Sequence, residues 1–339
     1  MRTIGLSNYE NIEEIFIDNF NQPINRIKNF SIQRDISHFL ANKSIDTHVF
    51  IKEQAFVIDL VGYAHFHFVY DKLGQYEFLK KYFPDLALYI VSTGHYINDQ
   101  DGMLNTIKNV YNIPVSNILN IDFGYKYIFK DLLFIWPTHN DLFSGTFKNE
   151  WFDPWSSPED FKFYIKNVYE LLRNRFKDFI SPTTTTQKIY ISQMQRHKLQ
   201  GRISNQERYI SEKDELAIED FFKKMGYQII TAENLNFLEQ IGLYSGSSHI
   251  AAIKSSAIVN TIFCNKNTNI TIINVDKNYE IWYDYISMYN DLKCLEVPSF
   301  LREDAKIKTM SYFSKQSKPH TPFSIAQILE SLKANLDYL

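Results

Sequence analysis

The chain of 339 residues is 45% hydrophobic, with 27 phenylalanines and 22 tyrosines, and its formal net charge is −3. So much apolar surface excludes disorder for most of the chain, and the length is sufficient for two domains. The small negative charge gives no long-range attraction to nucleic acid, so we expect no nucleic-acid partner.

Cysteine content and apolar patterning bear on the compartment. The two cysteines, Cys264 and Cys294, have no metal-binding spacing, and so few thiols indicate a reducing environment. The N-terminal residues lack a basic region followed by an apolar run, and the longest apolar stretch, residues 55–70, is too short and too polar to cross a bilayer. We therefore expect a soluble, cytoplasmic protein. Its surface aromatics permit peripheral association with the inner face of the membrane.

The first half of the chain predicts strands that alternate with helices. Residues 12–20 have a short helical pattern that ends before Pro23. Further segments are predicted as strands at 47–60, 86–92, 114–121 and 132–136, and as helices at 68–83, 103–111 and 158–180. Such alternation predicts a parallel sheet covered by helices on both faces. We assign residues 1–180 to an N-terminal α/β domain.

Two aspartates in this domain have a spacing that is also found in metal sites. Asp99 and Asp101 flank one glutamine, and many sugar transferases hold a divalent cation against a nucleotide diphosphate with such a pair. The same pattern is common in loops and at helix starts, and Asp101-Gly102 directly precedes the predicted helix 103–111. We prefer the helix start and expect no bound metal.

The second half begins after residues 182–186, a proline and threonine run that predicts an interdomain linker. Strands are predicted at 187–192, 227–230, 249–253 and up to Asn274, and helices at 212–225, 235–243 and 257–263. A basic loop follows the first of these strands and contains Arg196, Arg202 and Arg208. We assign residues 181–310 to a nucleotide-binding α/β domain. Residues 311–339 are expected to form a helix that packs back towards the N-terminal domain.

Lys254, Ser255 and Ser256 interrupt the apolar pattern where a predicted strand ends and a helix begins. In an open α/β sheet, ligands bind beyond the carboxyl ends of the strands, and a helix N-terminus offers N–H groups to an anion. The three residues therefore suit a phosphate. The alternative is an ordinary turn in which Ser255 or Ser256 caps the helix.

Four short segments carry motifs of a known family: an arginine turn, a Phe-x-Glu-Gln helix start, the residues after the Lys254 turn, and the segment HFVYDKLGQYEFLK. The matching positions are Arg202, Asn205, Asn236, Phe237, Glu239, Gln240, Asn260, Phe263, His67 and Asp71. Over residues 60–275 the sequence resembles glycosyltransferase family 61. The resemblance covers most of the chain.

Several positions depart from the pattern of this family. Gln193 stands at its first arginine, Lys254-Ser255 at its His-Gly, Gly74-Gln75 at its Pro-Arg and Asn274 at the acidic residue of its last strand. These changes fit either a divergent subgroup with another donor or a member that has lost activity. We favour divergence, because Lys254 retains a cationic donor beside the predicted phosphate position.

The resemblance implies a GT-B architecture, in which two Rossmann-like domains face each other across a cleft. The C-terminal domain binds the donor, and the N-terminal domain, residues 1–180, mainly binds the acceptor. It also implies inverting, metal-independent transfer of a sugar from a nucleotide-diphosphate sugar, expected to be a UDP-sugar, with no cofactor. The acceptor is expected to be a hydroxyl of a surface or capsular glycan. Whether the sugar is a hexose, a pentose or an N-acetylhexosamine stays open.

Without a metal, the protein itself must place positive charge on the departing nucleotide diphosphate. We expect Arg196, Arg202 and Lys254 to do so, supported by Ser255 and Ser256. The alternative for Arg196, as for Arg208, is an exposed position on a solvated loop.

Glu239 and Gln240 could bond the ribose or the base, although helix capping or domain contacts explain them equally well. As general base we choose His67, with Asp71 one turn later as its orienting partner or as the base itself. The alternative for His67 is a buried, hydrogen-bonded histidine, and His95 and His139 are the reserve bases.

Two other functions stay open. A protein that has kept the fold but lost the motif residues would be a non-catalytic sugar-nucleotide or glycan-binding scaffold. A GT-B transferase of another type would use a CMP-sugar, whose single phosphate needs fewer cations.

Overall fold

The structure is a computed structural model, and it describes residues 4–7, 12–17, 20–34, 47–59, 68–92, 103–120, 125–135, 158–194, 210–275, 292–298 and 323–338. The chain divides into two compact units, Met1–Arg175 and Phe176–Leu339. The run 182–186, predicted as a linker, lies within the second unit.

The first unit is built on one seven-stranded sheet. Its strands are β1 (Ile4–Ser7), β2 (Ile12–Ile17), β3 (Phe20–Arg34), β4 (Thr47–Asp59), β5 (Ala87–Ser92), β6 (Ile118–Asn120) and β7 (Tyr125–Ile135). The order is β1-β3-β7-β4-β5-β6, and β2 pairs with β3. Strands β4 to β7 run parallel, whereas β3 is antiparallel to β1, β2 and β7.

Two sequence predictions for this unit were wrong. Residues 12–20 are not helical, because β2 pairs with β3 in a register that sets Ile12 opposite Ile27 and Ile15 opposite Ile24. Isoleucines suit such cross-strand pairs, and this long-range pairing overrides a short helical spacing. The sheet is also mixed rather than wholly parallel, because β1, β2 and β3 add an antiparallel portion to it.

The predicted helices of the first unit are confirmed. They are α1 (Gly74–Tyr82), which continues a π-helical turn at Phe68–Leu73, then α2 (Met103–Val110) and α3 (Pro158–Arg175). Gly74 begins α1 where it lies against α3, and a Cβ built on it would be 2.6 Å from Cγ1 of Val168. The two helices can approach this closely only because residue 74 has no side chain.

The second unit contains a five-stranded sheet in which every strand is parallel to its neighbours. The strands are β8 (Lys188–Ser192), β9 (Gln228–Thr231), β10 (His249–Ile253), β11 (Asn269–Ile273) and β12 (Lys293–Val297). The helices are α4 (Glu212–Lys224), α5 (Phe237–Gly246), a 3₁₀ helix at Ser256–Phe263 and α6 (Ile325–Lys333). The α/β class and the four predicted strands of this half are confirmed.

One feature of the second unit differs from expectation. The helix after β10 is a 3₁₀ helix, although its apolar residues had suggested an α-helix.

The C-terminal helix α6 buries Ile328 and Leu332 in a core that also contains Phe222 of α4 and Val297 of β12. That core belongs to the second unit. The packing of α6 towards the first domain stays a prediction.

None of the described helices combines the length and the apolar character that crossing a bilayer requires.

Candidate functional site

The strand order of the second sheet locates a candidate ligand-binding edge. Numbered along the chain from β8, the five strands are arranged 2-1-3-4-5, so the topology reverses between β8 and β10. In open parallel sheets, ligands bind beyond the carboxyl ends of the strands at this switch point. The strands end there at Ser192 and Ile253, and Gln193 and Lys254 are the first residues beyond them.

The turn after β10 is held by the neighbouring strand. The backbone N–H of Lys254 donates to the carbonyl of Ile273, 2.9 Å away, and the side chain of Lys254 is half-buried. Ser255 is extended at the position that precedes the 3₁₀ helix, but its side chain forms no capping hydrogen bond. The capping role considered for Ser255 is therefore not seen. The backbone of Ser256 begins the helix, and its side chain lies outside the described residues.

Gln240 connects α5 to the 3₁₀ helix. Its amide nitrogen donates to the carbonyls of Ala232 and Leu235, each 3.0 Å away, and its amide oxygen accepts from Asn260 Nδ2 at 2.7 Å. Asn260 is fully buried in the 3₁₀ helix. The pair thus fixes the helix that follows the Lys254 turn, which is a positioning role within the protein.

Glu239 caps the start of α5. Its carboxylate accepts from the N–H of Asn236 at 2.8 Å, while Asn236 Oδ1 accepts from the N–H of Glu239 at 3.0 Å. This reciprocal capping box satisfies two N–H groups that the helix cannot bond internally. The structure therefore shows the capping function that the sequence left open for Glu239.

Two aromatic motif positions that are distant in sequence lie together. Phe237 and Phe263 are buried, with ring centroids 6.0 Å apart, and both contact Phe176 at 5.4 and 5.7 Å. The two motif segments thus share one aromatic cluster. It supports α5 and the 3₁₀ helix beside the Lys254 turn.

The end of β8 is held by two acidic side chains of α4. Glu215 Oε1 accepts from the hydroxyl of Tyr190 at 2.9 Å and from the N–H of Gln193 at 3.0 Å. One turn later, Glu219 Oε1 accepts from the hydroxyl of Ser192 at 2.6 Å. Ser192 Oγ in turn accepts from the N–H of Met194 at 3.0 Å. Three consecutive residues at the strand end are therefore fixed by this carboxylate pair.

Burial governs the ionisation of Glu215. Its side chain is fully buried, and desolvation raises its pKa to about 7, although the bonds from Gln193 and Tyr190 oppose the rise. Nearby Glu219 raises the pKa further. Burial likewise raises the pKa of Tyr190 well above its usual value, so the hydroxyl remains protonated and donates to Glu215.

Two buried polar atoms beside this strand end have no hydrogen-bond partner among the described residues. They are Oε2 of Glu215 and Nε2 of Gln193. A buried polar atom without a partner costs about 1–3 kcal/mol, so a core selected for stability alone would favour apolar side chains here. The arrangement therefore suggests a role other than stability.

The parallel part of the first sheet has a switch point of the same kind. Strand β4 lies between β5 and β7, so the strand order of the sheet reverses between β4 and β7. Gln75 of α1 is buried, and its Oε1 accepts from the N–H of Ile135 at 3.2 Å, at the end of β7. A helix side chain thus fixes the end of a strand here as well.

Several sequence-predicted site residues lie outside the described residues. They are His67, His95, Asp99, Asp101, His139, Arg196, Arg202, Asn205 and Arg208. Asp71 is described only by its backbone, in the π-helical turn before α1. Among the predicted site residues, Lys254, Ser255, Glu239 and Gln240 are described with their side chains, and Gln240 bonds Asn260 in the helix that follows the Lys254 turn.

The roles of Glu215 and Glu219, and the contact of Gln75 with the end of β7, were not predicted from the sequence. The signal for the two glutamates was present, because they occupy the same face of α4 as Ile218 and Phe222, at spacings of three, four and seven residues. Acidic residues on an apolar helix face are rarely buried unless they bond to something. Among the described residues no group of three His, Cys, Asp or Glu side chains is arranged to hold a metal ion.

The parallel sheet with its polar turn at the switch point defines an α/β protein of the Rossmann-like class. The family model of glycosyltransferase 61 matches residues 65–271, which is more than half of the chain. The chain therefore belongs to glycosyltransferase family 61, as the motifs had predicted. The family implies glycosyltransferase activity, with a sugar donor and an acceptor as substrates. A search of curated proteins found no match.

Proposed function

We propose that the protein is an inverting, metal-independent glycosyltransferase with a GT-B architecture. It would transfer a sugar from a nucleotide-diphosphate sugar, with a UDP-sugar as the first candidate, to a hydroxyl of a surface or capsular glycan. The observation that carries the proposal is the Lys254 turn at the switch point of an all-parallel sheet. That position suits the phosphates of a nucleotide.

The leaving nucleotide diphosphate requires positive charge or hydrogen-bond donors. We assign these to Lys254, Arg196 and Arg202, with Ser255, Ser256 and the first N–H groups of the 3₁₀ helix as neutral donors. Support comes from Lys254, whose backbone is fixed by β11 at the edge where ligands bind in such sheets. The two arginines follow β8, the other strand of the switch point.

The acceptor hydroxyl requires a base. We assign this role to His67, with Asp71 as its orienting partner or as the base itself, and keep His95 and His139 as reserves. Glu239 could additionally bond the ribose, because its side chain is exposed at the start of α5. Gln240 engages both ends of its amide within the protein, which supports positioning rather than direct contact with the base.

We also propose that the protein acts in the cytoplasm. Two cysteines in a chain of this length suit a reducing compartment. A glycan acceptor assembled at the membrane would bring the enzyme to its inner face.

A panel of UDP-, GDP- and CMP-sugars with glycan acceptors tests the proposal. We expect release of nucleoside diphosphate that depends on the acceptor, with inversion at the anomeric carbon, in a chelator as well as without it. Lys254→Ala should weaken nucleotide binding, whereas His67→Ala should lower turnover with binding intact. Absence of both binding and release for every donor would contradict the proposal, and release of CMP would indicate the other transferase type.

A non-catalytic scaffold is the second candidate, favoured by the departures from the family pattern at Lys254-Ser255 and Gln193. Calorimetry separates it from the enzyme. A scaffold would bind a sugar nucleotide or a glycan without any turnover in the same panel.

A further inference from the structure

The carboxylate pair of α4, Glu215 and Glu219, accepts hydrogen bonds from side chains of β8 and from the backbone just beyond it. Glu215 bonds the N–H of Gln193, and Glu219 bonds Ser192, which itself accepts from the N–H of Met194. Gln193 is the first residue beyond β8, at the switch point opposite Lys254. The pair therefore determines the direction in which the chain leaves the strand at the candidate donor edge.

Core packing alone does not require acids at these positions. Ile218 and Phe222 of the same helix are fully buried, and Phe222 stacks on Tyr190 with ring centroids 4.9 Å apart. Apolar residues in place of the glutamates would extend this contact. They would also remove Glu215 Oε2, a buried atom that has no hydrogen-bond partner among the described residues. What apolar residues could not do is accept hydrogen bonds from the strand end.

We propose that Glu215 and Glu219 are positioning residues of the donor site, which hold residues 192–194 in the conformation that nucleotide binding requires. This inference rests on the proposed function, because it needs a donor at the switch point. The acids do not contact the donor. They act through the side chain of Ser192 and the backbone of Gln193.

The ionisable groups around Glu215 set the expected pH dependence. They are Glu219 on α4, Tyr190 on β8 and, beyond Glu219, Lys223, whose Nζ is 3.4 Å from Glu219 Oε2. Since burial raises the pKa of Glu215 to about 7, its carboxyl gains a negative charge between pH 6 and pH 8. That charge would repel an anionic donor bound at the same edge, so donor affinity should fall across this range.

Two variants, Glu215→Gln and Glu215→Ala, separate the effect of the carboxylate charge from the effect of the hydrogen-bond acceptor. Glutamine keeps an oxygen that can accept from Tyr190 and Gln193 but cannot ionise, whereas alanine removes the acceptor. Glu212→Gln, an exposed position on the same helix, is the matched control. The measurement is the calorimetric Kd of UDP, with GDP and CMP as further probes, at pH 6 and pH 8. The free nucleotide titrates identically in all experiments. A difference between variants in the ratio of the two Kd values therefore reports a change in the protein.

We expect the Kd ratio between pH 8 and pH 6 to be at least threefold smaller in Glu215→Gln than in the wild type and in Glu212→Gln. At pH 6, Glu215→Gln should bind within about twofold of the wild type, and Glu215→Ala at least tenfold more weakly. Equal Kd ratios in the wild type and Glu215→Gln, or a folded Glu215→Ala that binds within about twofold of the wild type at pH 6, would overturn the inference alone. Should Glu215→Ala fail to fold, the Glu215→Gln ratio decides. A wild type that binds none of the nucleotides would overturn the proposed function as well.

Discussion

The two units fix the end of a strand at the switch point in the same way but with different chemistry. In the first unit, the amide oxygen of Gln75 accepts from the N–H of Ile135 at 3.2 Å. In the second, the carboxylate of Glu215 accepts from the N–H of Gln193 at 3.0 Å. A neutral amide is therefore sufficient to hold a strand end. The acid in the second unit makes the same contact dependent on pH, at the edge where we place the donor.

Buried acidic side chains also have different partners in the two units. Glu77 of α1 is buried but forms an ion pair with Arg175 of α3 at 2.7 Å, and the Arg175 guanidinium lies over the ring of Tyr111, 5.0 Å from its centroid. Glu215 receives hydrogen bonds from Tyr190 and Gln193 instead of a cation. The first arrangement compensates a buried charge, whereas the second favours the neutral acid.

The largest expected effect is on the pH dependence of stability. Because the pKa of Glu215 is raised from 4.5 to about 7 on folding, the native state binds its proton more tightly than the unfolded chain. Stability from this group is fully present below pH 4.5 and is lost as the pH rises to about 7. Between pH 5 and pH 8, the free energy of unfolding of the wild type should therefore fall by up to about 3 kcal/mol relative to that of Glu215→Gln.

Urea unfolding of both proteins across this pH range measures the difference, with Glu212→Gln as control. Parallel curves for the wild type and Glu215→Gln would mean that Glu215 ionises as it does in the unfolded chain. The contrast between the two units would then disappear.

The next largest effect on stability is expected from the ion pair of Glu77 with Arg175. Arg175→Met should lower the free energy of unfolding by about 2 kcal/mol, because it leaves Glu77 buried without its cation, and partial exposure of Arg175 limits the loss. Adding Glu77→Gln to this variant should restore about half of the loss, which a double-mutant cycle in urea would measure. Additive losses in the cycle would show that the ion pair contributes nothing.

Gln75→Leu probes the neutral contact. The substitution leaves the N–H of Ile135 without its acceptor, so we expect a loss of about 1.5 kcal/mol. Since no ionisable group is removed, the loss should be the same at pH 5 and pH 8. A loss that changed with pH would contradict the distinction between the two strand ends.

The smallest effect is expected at the start of α5. Asn236→Ala removes one half of the capping box with Glu239, which should reduce stability by about 1 kcal/mol. Thermal unfolding provides the measurement, and Glu212→Gln is again the control. An unchanged transition temperature would show that the capping box does not stabilise α5.

Most helices and strands could be predicted because their signals are local. The predicted helix 212–225 is α4, with Gly226 at φ of +80° just beyond its end, and the apolar runs 188–192 and 249–253 are strands. Residues 12–17 were mispredicted because their strand state depends on pairing with β3, which a short spacing does not reveal. The 3₁₀ helix after Ser255 has an apolar spacing close to that of an α-helix.

The candidate site was predictable only in part, for the same reason. Lys254 and Ser255 follow a strand, so their place at the sheet edge could be inferred from the sequence. The contact between Glu215 and Gln193 joins residues 22 positions apart, and it exists only because α4 packs against β8. The pairing of Gln240 with Asn260 likewise requires two helices to meet in space.

A crystal structure of the protein with UDP would show directly where the donor nucleotide binds. We expect the diphosphate to bind at the carboxyl edge of the second sheet, within hydrogen-bond distance of Lys254 Nζ and of the first N–H groups of the 3₁₀ helix. Density for UDP elsewhere, away from the switch point between β8 and β10, would contradict it.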